Sequence, residues 1–398
     1  MFRLSNLTKF TKDGWCYLSC DFSVTGIENP FQEKTMWVAV EEANADMLAD
    51  NVYDPFVLVP VALGMYYKQD VHIDGNISPR LYFNMRHYLM NIFDRFSDDV
   101  SPVGFTVNGF DTVEQVGDLV GTGISCGVDS LTTILDNFVN ETDPNFRINS
   151  LLFVNTGTHG NFEDPSSRKK FFDRASLNKT AADELGLPIY LIDSNYHAFV
   201  HKIGPQTFGY LSIYSCMLSL QRYIKRCYSA SALSYDEIAQ FSKVSRNSDM
   251  SEHCESYMLH LISTENFEFV IDGCQYTRSE KTERISEWNF AQKYLNVCAS
   301  WTSDGAHNCS CCRKCARTLI TLEAMGKLDL FKDVFDLDIY RKNRFRWMCW
   351  FRTNYGKEAF STEIIDYARE HGIKFPPKLL AIVVRSVRHR LYKLGVLK

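Results

Sequence analysis

The residues best placed to do chemistry are Ser125, Cys126, Gly127, Val128, Asp129 and Ser130. They follow a glycine-broken apolar segment, 117–124, and open an amphipathic one carrying Leu131, Ile134, Leu135, Phe138 and Val139. That order reads as strand, tight loop, helix. Such a loop aims backbone N–H groups and a helix N-terminus at one spot, which is a ready anion site. Ser125 and Ser130 add hydroxyls for phosphate oxygens. Asp129 can hold Mg2+, a cation that takes oxygen ligands and bridges to substrate phosphates. Together these parts point to a nucleoside triphosphate. The chain has no Gly-Lys-Ser/Thr and no complete Gly-x-Gly-x-x-Gly, so rival phosphate cradles lose ground.

A second cluster lies downstream. Cys298, Cys309, Cys312 and Cys315 have the spacing C-x10-C-x2-C-x2-C, with Cys311 inside it. Thiolates two residues apart on a turn can reach one tetrahedral Zn2+, and the polar stretch 300–308 can loop back to deliver Cys298. An iron–sulfur cluster, which also takes four thiolates, is the other reading of such a set. His307 and Cys311 are spare candidates, expected not to ligate because four thiolates close a structural site. Of the other cysteines, Cys16, Cys20, Cys216, Cys227, Cys254, Cys274 and Cys349 are scattered and read as small buried hydrophobes.

The hexapeptide resembles the Ser-Gly-Gly-x-Asp-Ser loop of the PP-loop ATP pyrophosphatases, also called adenine nucleotide alpha hydrolases. One position departs, since Cys126 stands where that family has glycine. Either φ is negative at this site, or pyrophosphate binding is weakened. With the cysteine cluster, VCASWTSDGAHNCSCCRKCARTL, the resemblance narrows to the 7-cyano-7-deazaguanine synthases and covers roughly residues 117–322. It implies an ATP-dependent synthetase that adenylates a carboxylate resembling 7-carboxy-7-deazaguanine and releases pyrophosphate. A nitrogen nucleophile, ammonia or an amine, would then displace AMP to give a nitrile or amide. It also implies a structural zinc near the active site. A protein acceptor for the activated acid is a further reading. Two alternatives stand beside it: a sulfur-transferring, thiolating enzyme with Cys126 or Cys311 as carrier, and a non-catalytic nucleotide-sensing subunit of a larger complex.

These residues need a scaffold. From 117 to 297 strand and helix patterns alternate: SLLFVN at 150–155, PIYLID at 188–193, CYSASAL and FEFVIDG at 267–273 as strands, and a long helix over PQTFGYLSIYSCMLSLQRYIKRC. That alternation predicts an α/β fold with a doubly wound parallel sheet, of adenine nucleotide alpha hydrolase type by the resemblance. Ligands in such sheets bind beyond the carboxyl ends of the strands. Asn155 and Thr156, in the turn Asn155-Thr156-Gly157-Thr158-His159, are thereby candidates for nucleotide binding. Two more polar stretches are expected at strand ends: Ser248 to His253, with His253 a possible base, and Tyr276 to Thr282, just after FEFVIDG. In the latter Arg278 and Lys281 share a helix face and could neutralise developing charge, so they join Asp129 as catalytic candidates.

The expected domains are an N-terminal α+β extension over 1–110, a PP-loop nucleotide-binding domain over 111–297, a four-cysteine zinc segment over 298–322 and a helical region over 323–398. In the extension, Tyr66, Tyr67, Tyr82, Phe83 and Tyr88 read as core. The last segment carries Lys378, Arg385, Arg388, Arg390, Lys393 and Lys398 without an acid, a solvated face or a docking surface. The 398 residues are 45% apolar and 23% charged, those of a globular protein, with a net charge of −5 that argues against general nucleic-acid binding. No apolar run approaches ~20 residues and the start lacks an apolar h-region, so a cytoplasmic protein without membrane partners is expected.

Overall fold

The structure is a computed structural model that describes residues 1–157, 165–201, 205–241, 250–298 and 308–394. Its strands are β1 (Phe2–Lys12), β2 (Trp15–Val24), β3 (Thr35–Glu41), β4 (Val71–Ile77), β5 (Phe105–Phe110), β6 (Leu119–Gly123), β7 (Ser150–Val154), β8 (Ile189–Ser194), β9 (Ile224–Ala230) and β10 (Glu268–Asp272). Its helices are α1 (Leu58–Tyr67), α2 (Pro79–Asn84), α3 (Met90–Phe96), α4 (Val128–Ile134), α5 (Pro165–Leu185), α6 (His197–Val200), α7 (Pro205–Leu218), α8 (Tyr235–Phe241), α9 (Met250–Ile262), α10 (Arg278–Ser286), α11 (Asn289–Tyr294), α12 (Arg313–Ala324), α13 (Leu337–Asn354), α14 (Ala359–Glu370) and α15 (Lys378–Lys393). The chain divides into two compact units. The first holds Met1–Ile124, Asp136–Ser231 and Ile238–Asp272; the second holds Ser125–Leu135, Ala232–Glu237 and Gly273–Lys398.

All ten strands belong to the first unit and form one sheet in the order β10-β9-β6-β7-β8-β3-β2-β1-β4-β5. Six of its nine pairings are parallel. The parallel run β8-β7-β6-β9-β10 starts from β6 and grows first to one side, then to the other, so strand order reverses between β6 and β9. β7 is buried along almost its whole length, as a strand covered on both faces must be. The segment set apart in the sequence, 1–110, supplies the other five strands of this same sheet, with β3 pairing antiparallel to β8. β1 and β2 form a hairpin closed by Asp13-Gly14, both with positive φ, the turn chemistry that suits the twist of paired strands. Along β2 every second residue, Cys16, Leu18, Cys20 and Phe22, is buried. Phe2, Phe22, Phe31, Tyr67 and Phe199 form an aromatic cluster with ring centroids 5.2–6.2 Å apart. Tyr66, Tyr67 and Tyr82 pack against the core, whereas Phe83 and Tyr88 are exposed.

The long helix expected over 205–227 is shorter in fact. α7 stops at Leu218, where Ser219 turns its hydroxyl onto the Cys216 carbonyl at 2.6 Å, and the end of the expected helix, Ile224 to Cys227, belongs to β9. The apolar periodicity runs through the boundary unbroken, which is why the pattern missed it.

The second unit is helical in its main segment. α10 packs beside α4, α12 and α14. α12 and α13 are joined through Glu323, whose Oε2 accepts from Tyr340 Oη and Arg344 Nε, both at 2.6 Å. α15 lies on α13. Among the described residues no helix is long and apolar enough to cross a membrane.

Candidate functional site

The loop Ser125–Gly127 and helices α4 and α10 meet inside the second unit. α4 starts directly after Gly127, and Asp129 sits in its first turn. Ser130 Oγ lies 3.1 Å from Ser125 Oγ and donates to the Gly127 carbonyl at 3.2 Å. The Gly127 N–H points at Ser125 Oγ, 3.3 Å away. The two hydroxyls therefore sit side by side at the mouth of a helix whose first N–H groups lack intrahelical partners. Cys126 has φ +53° and is buried, with its carbonyl accepting from Asn296 N–H at 2.7 Å. The backbone thus takes the left-handed turn for which glycine is the usual residue. Of the two possibilities open in the sequence, negative φ is not realised. Burial pushes the Cys126 thiol up to about 12, so it is protonated at neutral pH.

α10 supplies the cations. Its start is fixed by a capping box: Thr277 Oγ1 accepts from Glu280 N–H at 3.3 Å and Glu280 Oε2 accepts from Thr277 N–H at 2.7 Å. Arg278 and Lys281, one turn apart, both reach Asp129. Arg278 Nη1 donates to Asp129 Oδ2, and Lys281 Nζ lies 3.7 Å from Oδ1. Lys281 is wholly buried, and its stem passes so close to Gly273 (φ +81°) that a Cβ there would meet Cε at 3.3 Å. One acid and two guanidinium or ammonium groups leave this corner with a surplus of positive charge beside the hydroxyl pair. Glu363 of α14, not singled out in the sequence, accepts from Ser279 N–H at 2.7 Å at the start of the same helix, and burial pushes its carboxyl up. No local pattern marks it, because its partner is 84 residues away.

Asn155 and Thr156 lie in the first unit and are both buried. Asn155 is engaged there, donating to Asp193 Oδ1 at 2.8 Å and accepting from Gly157 N–H at 3.3 Å. Thr158, His159, His307, Ser248 and Asp249, and the side chain of His253, lie outside the described residues.

Cys298, Cys309, Cys312 and Cys315 converge, their sulfurs all within 4.8 Å of one another. The Cys298–Cys312 and Cys309–Cys315 separations are 3.9 and 3.8 Å, and Cys312–Cys315 is 3.4 Å. A tetrahedron with metal–sulfur bonds of about 2.3 Å has edges of roughly 3.8 Å, so the four thiols suit one ion such as zinc. Cys312 caps α12, and hydrogen bonding with the Cys315 thiol holds the Cys312 thiol below its ordinary range while raising that of Cys315. Asn308 frames the site: its Oδ1 accepts from Val297 N–H, and its Nδ2 donates to the carbonyls of Leu295 and Val334 at 2.8 and 2.9 Å. Cys311 is outside the cluster; its carbonyl accepts from Trp347 Nε1 at 2.8 Å.

No family model, curated protein or solved structure matches the chain.

Proposed function

We propose that the protein is an ATP-dependent synthetase of the PP-loop type, forming AMP and pyrophosphate. The observation that carries this reading is the meeting of Asp129, Arg278 and the buried Lys281 beside the Ser125–Ser130 hydroxyl pair. A polyphosphate needs N–H and hydroxyl donors, fixed cations, and one carboxylate for the accompanying divalent ion, and this corner offers each of them. In the proposed reaction a substrate carboxylate oxygen attacks the α-phosphorus of ATP, and the bond to the departing pyrophosphate breaks. A nitrogen nucleophile then attacks the acyl carbon, AMP leaves, and the nitrogen loses its proton. Ser125, Gly127 and Ser130 hold the phosphate tail. Asp129 would hold Mg2+, which would neutralise phosphate charge, and Arg278 and Lys281 would face the charge that builds on the leaving group. The substrate class we assign is a planar heteroaromatic carboxylate such as 7-carboxy-7-deazaguanine. The ion of the four-cysteine cluster is assigned as structural zinc.

The buried, protonated Cys126 thiol disfavours it as a sulfur carrier, since the thiolate is the nucleophile in such chemistry. The test is pyrophosphate and AMP release from ATP with 7-carboxy-7-deazaguanine and ammonium. We expect turnover by the native chain and loss of at least about 10²-fold in Asp129→Asn, with far-UV circular dichroism unchanged. Sulfide-dependent mass gain in the product would move the assignment to thiolation. Absence of any turnover or ATP binding would overturn it.

A further inference from the structure

The last helix leaves a second, independent feature. α15 packs on α13 through Ala381, which is buried, and the half-buried Val384, Arg388 and Leu391. At 100° per residue these four share one face. Beside them Leu379, Leu380, Val383, Val387 and Leu394 fall within an arc of about 100°. That arc is not covered: these residues are 79, 46, 57, 50 and 75% exposed. Leu380, Val383, Val387, Arg390 and Leu394 step by three and four residues, the spacing of a helix-packing seam, with Arg390 in one core position. α15 carries Lys378, Arg385, Arg388, Arg390 and Lys393 and no acid, and among the described residues none of these five makes an ion pair. From 313 to 398 the chain has nineteen lysines and arginines against nine acids, although its net charge is −5.

We propose that this face of α15 is a docking surface for an amphipathic helix of another protein, with acidic residues flanking its apolar stripe and one set opposite Arg390. Charge selects the occupant. A second copy of α15 would bring five like charges against five, and self-pairing is thereby disfavoured. A polar residue within an apolar seam fixes register when its partner is complementary, which is what an acid opposite Arg390 does. An anionic lipid surface is the competing occupant of a basic amphipathic helix. Such a helix buries its apolar face at the acyl boundary, where Arg390 within this stripe would be left without a partner, whereas an acid of a protein helix can pair with it.

The test uses the full chain and a fluorescently labelled synthetic peptide of about four heptads, with Leu at the core positions and Glu at the flanking ones. A Lys-flanked analogue and phosphatidylserine vesicles serve as comparators. Expected are anisotropy-detected binding of the Glu peptide, weakening with added NaCl, and no binding of the Lys peptide. Val383→Asp and Val387→Asp should each weaken it by at least about tenfold, since each buries a charge against an apolar stripe. Both positions are exposed, so the fold is retained, as circular dichroism would verify. Arg390→Glu should shift preference toward the Lys peptide. Equal binding of the two peptides, indifference to Val383→Asp, or Val383-dependent binding to vesicles without binding to the Glu peptide would each overturn the proposal.

Discussion

Cys126 holds φ at +53° although it carries a Cβ, and that conformation costs an ordinary residue about 1–2 kcal/mol. The turn persists because its neighbours fix it: the carbonyl of Cys126 is taken by Asn296 and the thiol is packed away from water. At an ordinary loop position glycine is the more destabilising replacement, because it frees the unfolded chain. Here the order should invert. Cys126→Ala keeps the left-handed penalty and loses the sulfur packing, whereas Cys126→Gly relieves the backbone, so the glycine variant should be more stable than the alanine variant by about 1 kcal/mol in urea titration. Alanine proving the more stable would mean that φ is negative in solution. The hexapeptide was legible because its residues are contiguous and a loop's chemistry is local. The pairing of Asp129 with Arg278 was not, because those residues are 149 apart and only tertiary packing joins them. Arg278 and Lys281 were legible as sharing one face of a helix; that this face meets Asp129 is written nowhere in the local pattern.

Elements in the first unit are tied by a buried acid. Asp54, in a short helical turn, accepts from Ser78 N–H at 2.8 Å, from Ser78 Oγ at 2.5 Å and from Gln221 Nε2 at 2.9 Å, so it links the starts of α1 and α2 to the turn before β9. Gln221 in turn accepts from Thr264 at 2.9 Å, beyond α9. Burial is the largest influence on the Asp54 carboxyl and raises it from the usual carboxylate range to about 6. The folded chain therefore holds this proton more tightly than the unfolded one, whose aspartate titrates near 3.9. The contribution is full below about pH 4 and is lost as pH rises through 6, an effect of the order of 3 kcal/mol. Asp54→Asn should flatten that part of the stability–pH profile between pH 4 and 6, and a slope unchanged in the variant would assign it elsewhere. Legibility at this scale followed the source of each strand's burial. β7 and β8 announced themselves as apolar runs between turns. β4, VHIDGNI, is interrupted by Asp74, Gly75 and Asn76, and its place in the sheet comes from parallel neighbours distant in sequence, β1 and β5. Such pairing leaves no periodicity to read.

At the scale of the whole molecule the two units are held by different means. The first has a ten-stranded sheet and a large apolar core, the second a helical cluster threaded by a set of four cysteines. The sequence placed its boundaries by motif, at 110, 297 and 322, whereas contacts divide the chain by packing, so that Ser125–Leu135 and Ala232–Glu237 group with the segment from Gly273 onward. A motif scan cannot see such an interleaved division, because each strand-to-loop step looks like ordinary continuation. It has a consequence for metal removal. Binding free energy at a structural four-thiolate site is folding free energy for the segment that forms it. Elemental analysis should find close to one zinc per chain, falling in Cys312→Ser, and iron with a visible charge-transfer band would overturn the zinc assignment. On chelation, deuterium uptake should rise in α12 and around Asn308, whose amide bridges Leu295 and Val334 beside the four thiols. Uptake in β1 to β5 should not change, because their hydrogen bonds and core lie wholly within the first unit. A uniform rise along the chain would show that the ion supports the entire fold, and no rise anywhere would show that the four thiols close without it.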